Sequence, residues 1–103
     1  MYVLSFYVTE EHLEKVKQAI FSAGGGVIGN YDRCSWQVRG EGQFRPLPGS
    51  QPFIGSQGNT ECLIEYKVEM VIDSTSIRDC VAALKASHPY ETPAYHVLKM
   101  ESL

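Results

Sequence analysis

Residues Thr60–Ile72 read TECLIEYKVEMVI. From Cys62 onward every second residue is apolar or aromatic: Cys62, Ile64, Tyr66, Val68, Met70 and Ile72. Glu61, Glu65, Lys67 and Glu69 take alternate positions. Such alternation marks a β-strand with one face toward a core and the other toward water. Thirteen residues at about 3.3 Å each span roughly 43 Å. That is long for one strand of a small domain. The excess predicts that part of the strand projects as a hairpin arm or pairs with another chain.

Immediately before this strand lies Pro46–Asn59, fourteen residues with three prolines, three glycines and no charge. Solvated linkers seldom carry Leu47, Phe53 and Ile54 without a charged neighbour, so the loop is expected to pack on something or to serve a function. Leu47, Phe53 and Ile54 are its candidate interface contacts. Further back, Val27–Arg39 reads as a strand with Cys34, Trp36 and Val38 on one face, and Gly29-Asn30 as a bulge. Gly40-Glu41-Gly42 reads as a turn, and Gln43–Arg45 as a short returning strand.

The remaining elements frame these. Met1–Val8 is nearly all apolar, as in a central strand buried on both faces. Thr9 offers a helix N-cap, followed by Glu10 and Glu11 in the first turn. Leu13, Val16, Ile20 and Phe21 form the apolar stripe of that helix, and Gly24-Gly25-Gly26 ends it. These glycines follow a helix and precede a strand, the reverse of a phosphate-binding loop. After Ile72, a second helix carries Ile77, Cys80, Val81 and Leu84. Ser74, Thr75 or Ser76 caps it, and Ser76 with Asp79 resembles a capping box. His88-Pro89 stops it, and Ala94–Met100 is a last strand. The order predicts an α+β, ferredoxin-like βαββαβ sandwich: one antiparallel sheet with two helices on one face.

At 103 residues the chain suits one domain with one modest core. A catalytic cleft between two lobes of a single chain does not fit that size. Net charge is −3, with no basic excess on any element, which argues against nucleic acid as a partner. Tyr31, Trp36 and Phe44 are of the kind that stacks bases. No RNA-binding aromatic run accompanies them, so core or interface packing is their expected role. No apolar run approaches membrane-span length, and no export signal is readable. A cytoplasmic location with three reduced, mostly buried thiols at Cys34, Cys62 and Cys80 is therefore expected.

Among the histidines, His12 is expected to be solvated and His96 structural or at the surface. His88 ends a helix, where the dipole favours its charged form, and Tyr90 and Glu91 follow closely. His88, Tyr90 and Glu91 form the candidate ligand or metal site, with His88 and Glu91 as a divalent-metal or acid–base pair. The plainer alternative is a helix stop in which His88 bonds exposed carbonyls.

Three ordered segments carry a family resemblance. Gly24-Gly25-Gly26-Val27-Ile28-Gly29-Asn30-Tyr31-Asp32-Arg33-Cys34-Ser35-Trp36 resembles the pattern GAGxIGxYxxCSF. Gly40, Gly42, Phe44, Pro46, Gly49, Pro52, Ile54, Gly55, Gly58 and Glu61 match GxGxFxPxxGxxPxIGxxGxxE. His88-Pro89-Tyr90-Glu91-Thr92-Pro93-Ala94-Tyr95 resembles HPYEEPAY. Together they resemble the domain inserted into Nif-three-like (NGG-one-interacting-factor-three-like) proteins. Gly25, Trp36 and Thr92 depart from the pattern, and Thr92 removes one carboxylate from the polar turn. The resemblance covers essentially all of residues 1–103 and implies a fold similar to PII signalling and CutA proteins, which assemble as trimers. In full-length members the dinuclear metal site belongs to flanking domains, so no metal ligand carries over to these residues. The expectation is a non-enzymatic homotrimer with a sensing, regulatory or small-ligand role at subunit interfaces, needing no cofactor. Two alternatives stand beside it: a metal-binding protein or small metal-dependent enzyme using His88 and Glu91, and a regulator of a protein partner acting through loop 40–59.

Overall fold

The structure is a computed structural model describing residues 1–103. In chain order the elements are β1 (Tyr2–Val8), α1 (Glu10–Ser22), β2 (Trp36–Phe44), β3 (Glu61–Ile72), α2 (Ile77–Ser87) and β4 (Tyr95–Lys99). The strands form one antiparallel sheet in the order β2-β3-β1-β4. This is the ferredoxin-like sandwich that the order of elements predicts.

Alternation builds the core. Leu4, Phe6 and Val8 of β1 and Val68, Met70 and Ile72 of β3 share one face of the sheet. Leu13, Val16 and Ile20 of α1 and Cys80 and Leu84 of α2 close over them. Burying each large side chain of this set contributes roughly 1.5–3 kcal/mol. Between the helices, the buried Cys80 Sγ lies 3.7 Å from the Ile20 carbonyl and 3.6 Å from that of Ala23. Burial, with Asp79 nearby, raises its thiol pKa. Only Cys80 is buried; Cys34 is half-buried and Cys62 exposed, which corrects the expectation of mostly buried thiols. No helix is long and apolar enough to cross a membrane.

The outer face of the sheet carries no helix. It presents Val3 of β1, Val71 of β3, Leu98 of β4, and Trp36 and Val38 of β2, as the strand registers require. Trp36 is 60% and Leu98 58% exposed. The two ends of the chain also meet in the sheet: beyond the β1–β4 pairs, the Met100 N–H donates to the Met1 carbonyl at 3.0 Å.

β3 does two jobs. Tyr66–Ile72 pairs with β1, while Glu61–Glu69 pairs with β2. Glu61–Glu65 therefore runs past the end of β1 as one side of a two-stranded arm. The arm's other side revises the reading of β2. Gly40-Glu41-Gly42 is not a turn: Gly40 pairs with Glu65, Glu41 with Ile64 and Gly42 with Leu63, so one strand runs from Trp36 to Phe44. Upstream, residues 27–35 leave the sheet. Gly26, Gly29 and Arg33 all have positive φ, which interrupts an extended strand. Gly29-Asn30 is a tight two-residue turn closed by paired Ile28–Tyr31 hydrogen bonds of 2.9 and 3.0 Å, not a bulge.

The helix ends are as legible as the strands, but not every cap is. The Gly25 N–H donates to the Ile20 carbonyl and the Gly24 N–H to that of Phe21, with Gly24 at φ +106°. This paired pattern satisfies the last carbonyls of α1. Thr9 and Ser76 hold the N-cap positions without side-chain cap bonds. The Ser76–Asp79 capping box does not form. Instead Asp73 Oδ1 accepts the Thr75 N–H at 3.2 Å and shapes the turn into α2, and that bond lowers the Asp73 pKa.

One glycine here makes a test. A Cβ on Gly26, at φ +75°, would lie 2.8 Å from the Cys34 carbonyl oxygen and 2.9 Å from the Phe21 ring. Gly26→Ala is expected to cost about 2 kcal/mol, from left-handed strain plus the backbone clash. A urea midpoint equal to that of the unmodified chain would show that residues 27–35 adjust freely.

Candidate functional site

Where α2 ends, the chain turns under the end of β1. Pro89 blocks further helix, and His88 takes an extended backbone. Its ring swings inward and is 6% exposed. Nε2 lies 2.7 Å from the Tyr7 carbonyl, and Nδ1 accepts the Tyr90 N–H at 3.1 Å. A carbonyl only accepts and a backbone N–H only donates, so this pair of bonds selects the neutral ring with its proton on Nε2. β1–β4 pairing stops at Phe6 and Tyr95, and His88 supplies the next donor to β1. Burial pushes its pKa below the ordinary 6.5, against the opposing pull of its bond to Tyr7 and of nearby Glu65. The expectation of a dipole-favoured charged imidazole is thus reversed by desolvation. Nor does the His88 ring bond the last carbonyls of α2; there the His88 backbone N–H donates to the Leu84 carbonyl at 2.9 Å and Ser87 Oγ to the Ala83 carbonyl at 2.7 Å.

Tyr90 points the other way along the turn. Its hydroxyl donates to Glu65 Oε2 at 3.0 Å. Burial, then the Glu65 carboxylate beside it, pushes the phenol above the ordinary tyrosine range. Glu65 reaches it by lying across Gly42, where any Cβ would strike the carboxylate. This is the physical reason for glycine inside β2: a strand glycine marks a close approach.

The uncharged loop then folds back onto this turn. At its base the Gly58 N–H donates to the Pro46 carbonyl at 2.7 Å. Within it, Gln57 Nε2 donates to the Ser50 carbonyl at 3.0 Å. At its crest the Gln51 N–H donates to Glu91 Oε2 at 3.0 Å. Phe53 sets its ring edge-on to His12 of α1, centroids 5.5 Å apart, and 6.4 Å from Tyr90. His12 is accordingly half-buried against the loop, not freely solvated. Between loop, arm and turn lies an open cleft of about 510 Å³.

Two groups of residues singled out separately in the sequence meet in this cleft. Tyr90 and Glu91 from the turn, and Leu47, Phe53 and Ile54 from the loop, all line it. His88 does not: it sits behind the wall with both ring nitrogens engaged, while Glu91 reaches to Gln51. The two do not form a pair, and no cluster of three or more His, Cys, Asp or Glu side chains is placed to hold a metal ion. Glu65, Phe44 and Tyr7 also line the cleft. Alternation placed Glu65 on a solvated face; the signal for its role was Gly42 on the neighbouring strand β2. Tyr31 and Trp36 are exposed and lie outside the cleft lining, while Phe44 is half-buried within it.

No protein-family model matches the chain. Over 94 residues, 91% of its length, it is 44% identical to a "GTP cyclohydrolase 1 type 2 homolog" of Mycobacterium tuberculosis, and it covers 25% of that protein. A solved Bacillus cereus protein related to NIF3 superposes on 98% of the chain with TM-score 0.84 and 32% identity, over 26% of its own length. The chain is similar to one segment of the NIF3-related proteins. It spans about a quarter of the length of the relatives it matches. The same fold superposes on the divalent cation tolerance protein CutA of Archaeoglobus fulgidus with TM-score 0.69 and 15% identity, over 99% of this chain and 86% of that one. At that identity the likeness is one of fold alone.

Proposed function

We propose that this domain is a non-enzymatic small-ligand module that works as a homotrimer. One observation carries the reading: a fourteen-residue uncharged loop folds onto the His88–Ala94 turn and encloses a cleft lined by aromatic rings and two carboxylates. A concave, largely apolar site with a few polar groups is the usual form of a ligand pocket. The loop holds itself by its own hydrogen bonds, which suits a preformed site.

Assembly is supported by the uncovered sheet face. Val3, Val71 and Leu98 are neighbours there, with Trp36 and Val38 at the β2 edge beside Glu69 and Lys67; Trp36, Val38 and Leu98 are exposed, and Val3 and Val71 half-buried. Apolar patches of this kind mark association surfaces, and the PII and CutA resemblance implies a threefold arrangement. Sedimentation of the purified chain is expected to give about three times the 11.5 kDa monomer mass. A monomer at micromolar concentration would overturn the trimer.

A second reading has its own observation. Leu47 and Phe53 are each more than half exposed on the loop, as anchors for a protein partner would be. A pull-down whose product disappears when loop 40–59 is shortened would favour it.

A further inference from the structure

We propose that the cleft takes an organic cation, an ammonium or alkylated ammonium group, seated against the rings of Tyr90, Phe44 and Phe53. This rests on the cleft being a small-ligand site and names what that ligand is. Tyr90 is the centre of the wall. The Phe44 ring lies 6.4 Å from it at 47°, and the Phe53 ring 6.4 Å at 39°. A flat ring sandwiched between two others needs parallel walls roughly 7 Å apart. These rings are closer and tilted, which leaves no parallel slot between Tyr90 and either neighbour, while all three line the cleft. A compact cation within about 6 Å of ring centroids is drawn by their negative faces.

Charge points the same way. Glu65 and Glu91 border the same space. Each has one hydrogen bond, from the Tyr90 hydroxyl and the Gln51 N–H respectively. Neither takes part in any of the chain's three ion pairs. Arg45 is the one basic residue of the lining, so the cleft carries a formal −1 from two carboxylates and one guanidinium. A phosphate or carboxylate ligand would face both acids. An ammonium would find ring faces to seat it and carboxylate oxygens with lone pairs to spare.

The test titrates the full chain calorimetrically with choline and, in parallel, with its neutral carbon isostere dimethylbutanol. Choline is expected to bind, with the isostere at least about tenfold weaker, since shape is shared and only charge differs. Tyr90→Leu and Phe53→Leu are each expected to weaken choline about tenfold. Glu91→Gln, at an exposed side chain that leaves the core untouched, is expected to weaken it several-fold even if Tyr90→Leu fails to fold. Equal binding of the two probes would overturn the cation proposal and leave an apolar ligand site standing. Choline binding unchanged in Phe53→Leu and Glu91→Gln would also overturn it. If neither probe binds, the cation proposal fails. A screen of neutral and anionic fragments, read by NMR shifts at Phe53, Tyr90 and Glu91, then separates a cleft of other chemistry from one that binds nothing.

Discussion

Replacing His88 with alanine is expected to cost about 3 kcal/mol, combining a buried acceptor left bare with a cavity at the end of β1. Tyr7 loses the donor that continues its strand's hydrogen bonding, and the Tyr90 N–H loses its acceptor. At roughly 4–8 °C per kcal/mol for a domain this size, the melting temperature should fall by about 12–24 °C. A second signature separates this from mere loss of packing. His88 is neutral in the fold and its pKa is depressed by burial, so the unfolded chain binds the extra proton more readily. Stability is then complete above the ordinary value of 6.5 and is lost as pH falls toward the depressed native value. His88→Ala should remove that component of the acid sensitivity. A variant that melts like the parent, or keeps its full slope below neutrality, would contradict the buried neutral ring.

The second large effect is expected on the open face of the sheet. Val38→Glu combined with Leu98→Glu sets two charges where the proposed trimer requires apolar contact. Burying unpaired carboxylates costs more than a modest interface returns. Sedimentation should therefore show a fall from three chains to one, with the helix-side core and far-ultraviolet spectrum preserved. Trp36 is the only tryptophan and lies on the same face, opposite Glu69. Its emission should shift to longer wavelength in the double variant as water reaches the indole. An assembly that survives both glutamates would place the contact elsewhere.

Much of this architecture was legible in residue order because single rules acted alone. The alternation in β3 places Val68, Met70 and Ile72 in the core, whereas Cys62 and Ile64 of the same face are exposed on the arm that runs past β1. The glycine run after α1 ended the helix as read. Where two rules competed, local reading failed. Gly40 and Gly42 signal turns by propensity, yet both lie inside β2, and at Gly42 the Glu65 side chain needs the space. Val27–Arg39 reads as one strand from the alternation of Cys34, Trp36 and Val38, but the positive-φ positions Gly26, Gly29 and Arg33 keep residues 27–35 out of the sheet. Glu65 sat on a face that alternation assigns to water, and only the fold brings Tyr90 to it. His88 was read at a helix end, where the dipole governs; the structure puts it under β1, where desolvation does. The loop was legible as something packed, but its packing surface lies some forty residues along the chain, at Glu91.

One consequence follows from the contact between Met1 and Met100. Strands β1 and β4 are neighbours and run antiparallel, so the polypeptide enters and leaves the domain at the same end, about 5 Å apart, the spacing of paired strands. A host protein needs only one surface loop opened by that width to accept the whole unit, with almost no loop-closure cost and no strain on its own core. The same geometry makes the seam a mechanical clasp. Tension applied across the two ends would unzip β4 from β1 one hydrogen-bonded pair at a time, and would free the His88–Ala94 turn before it reached the helices.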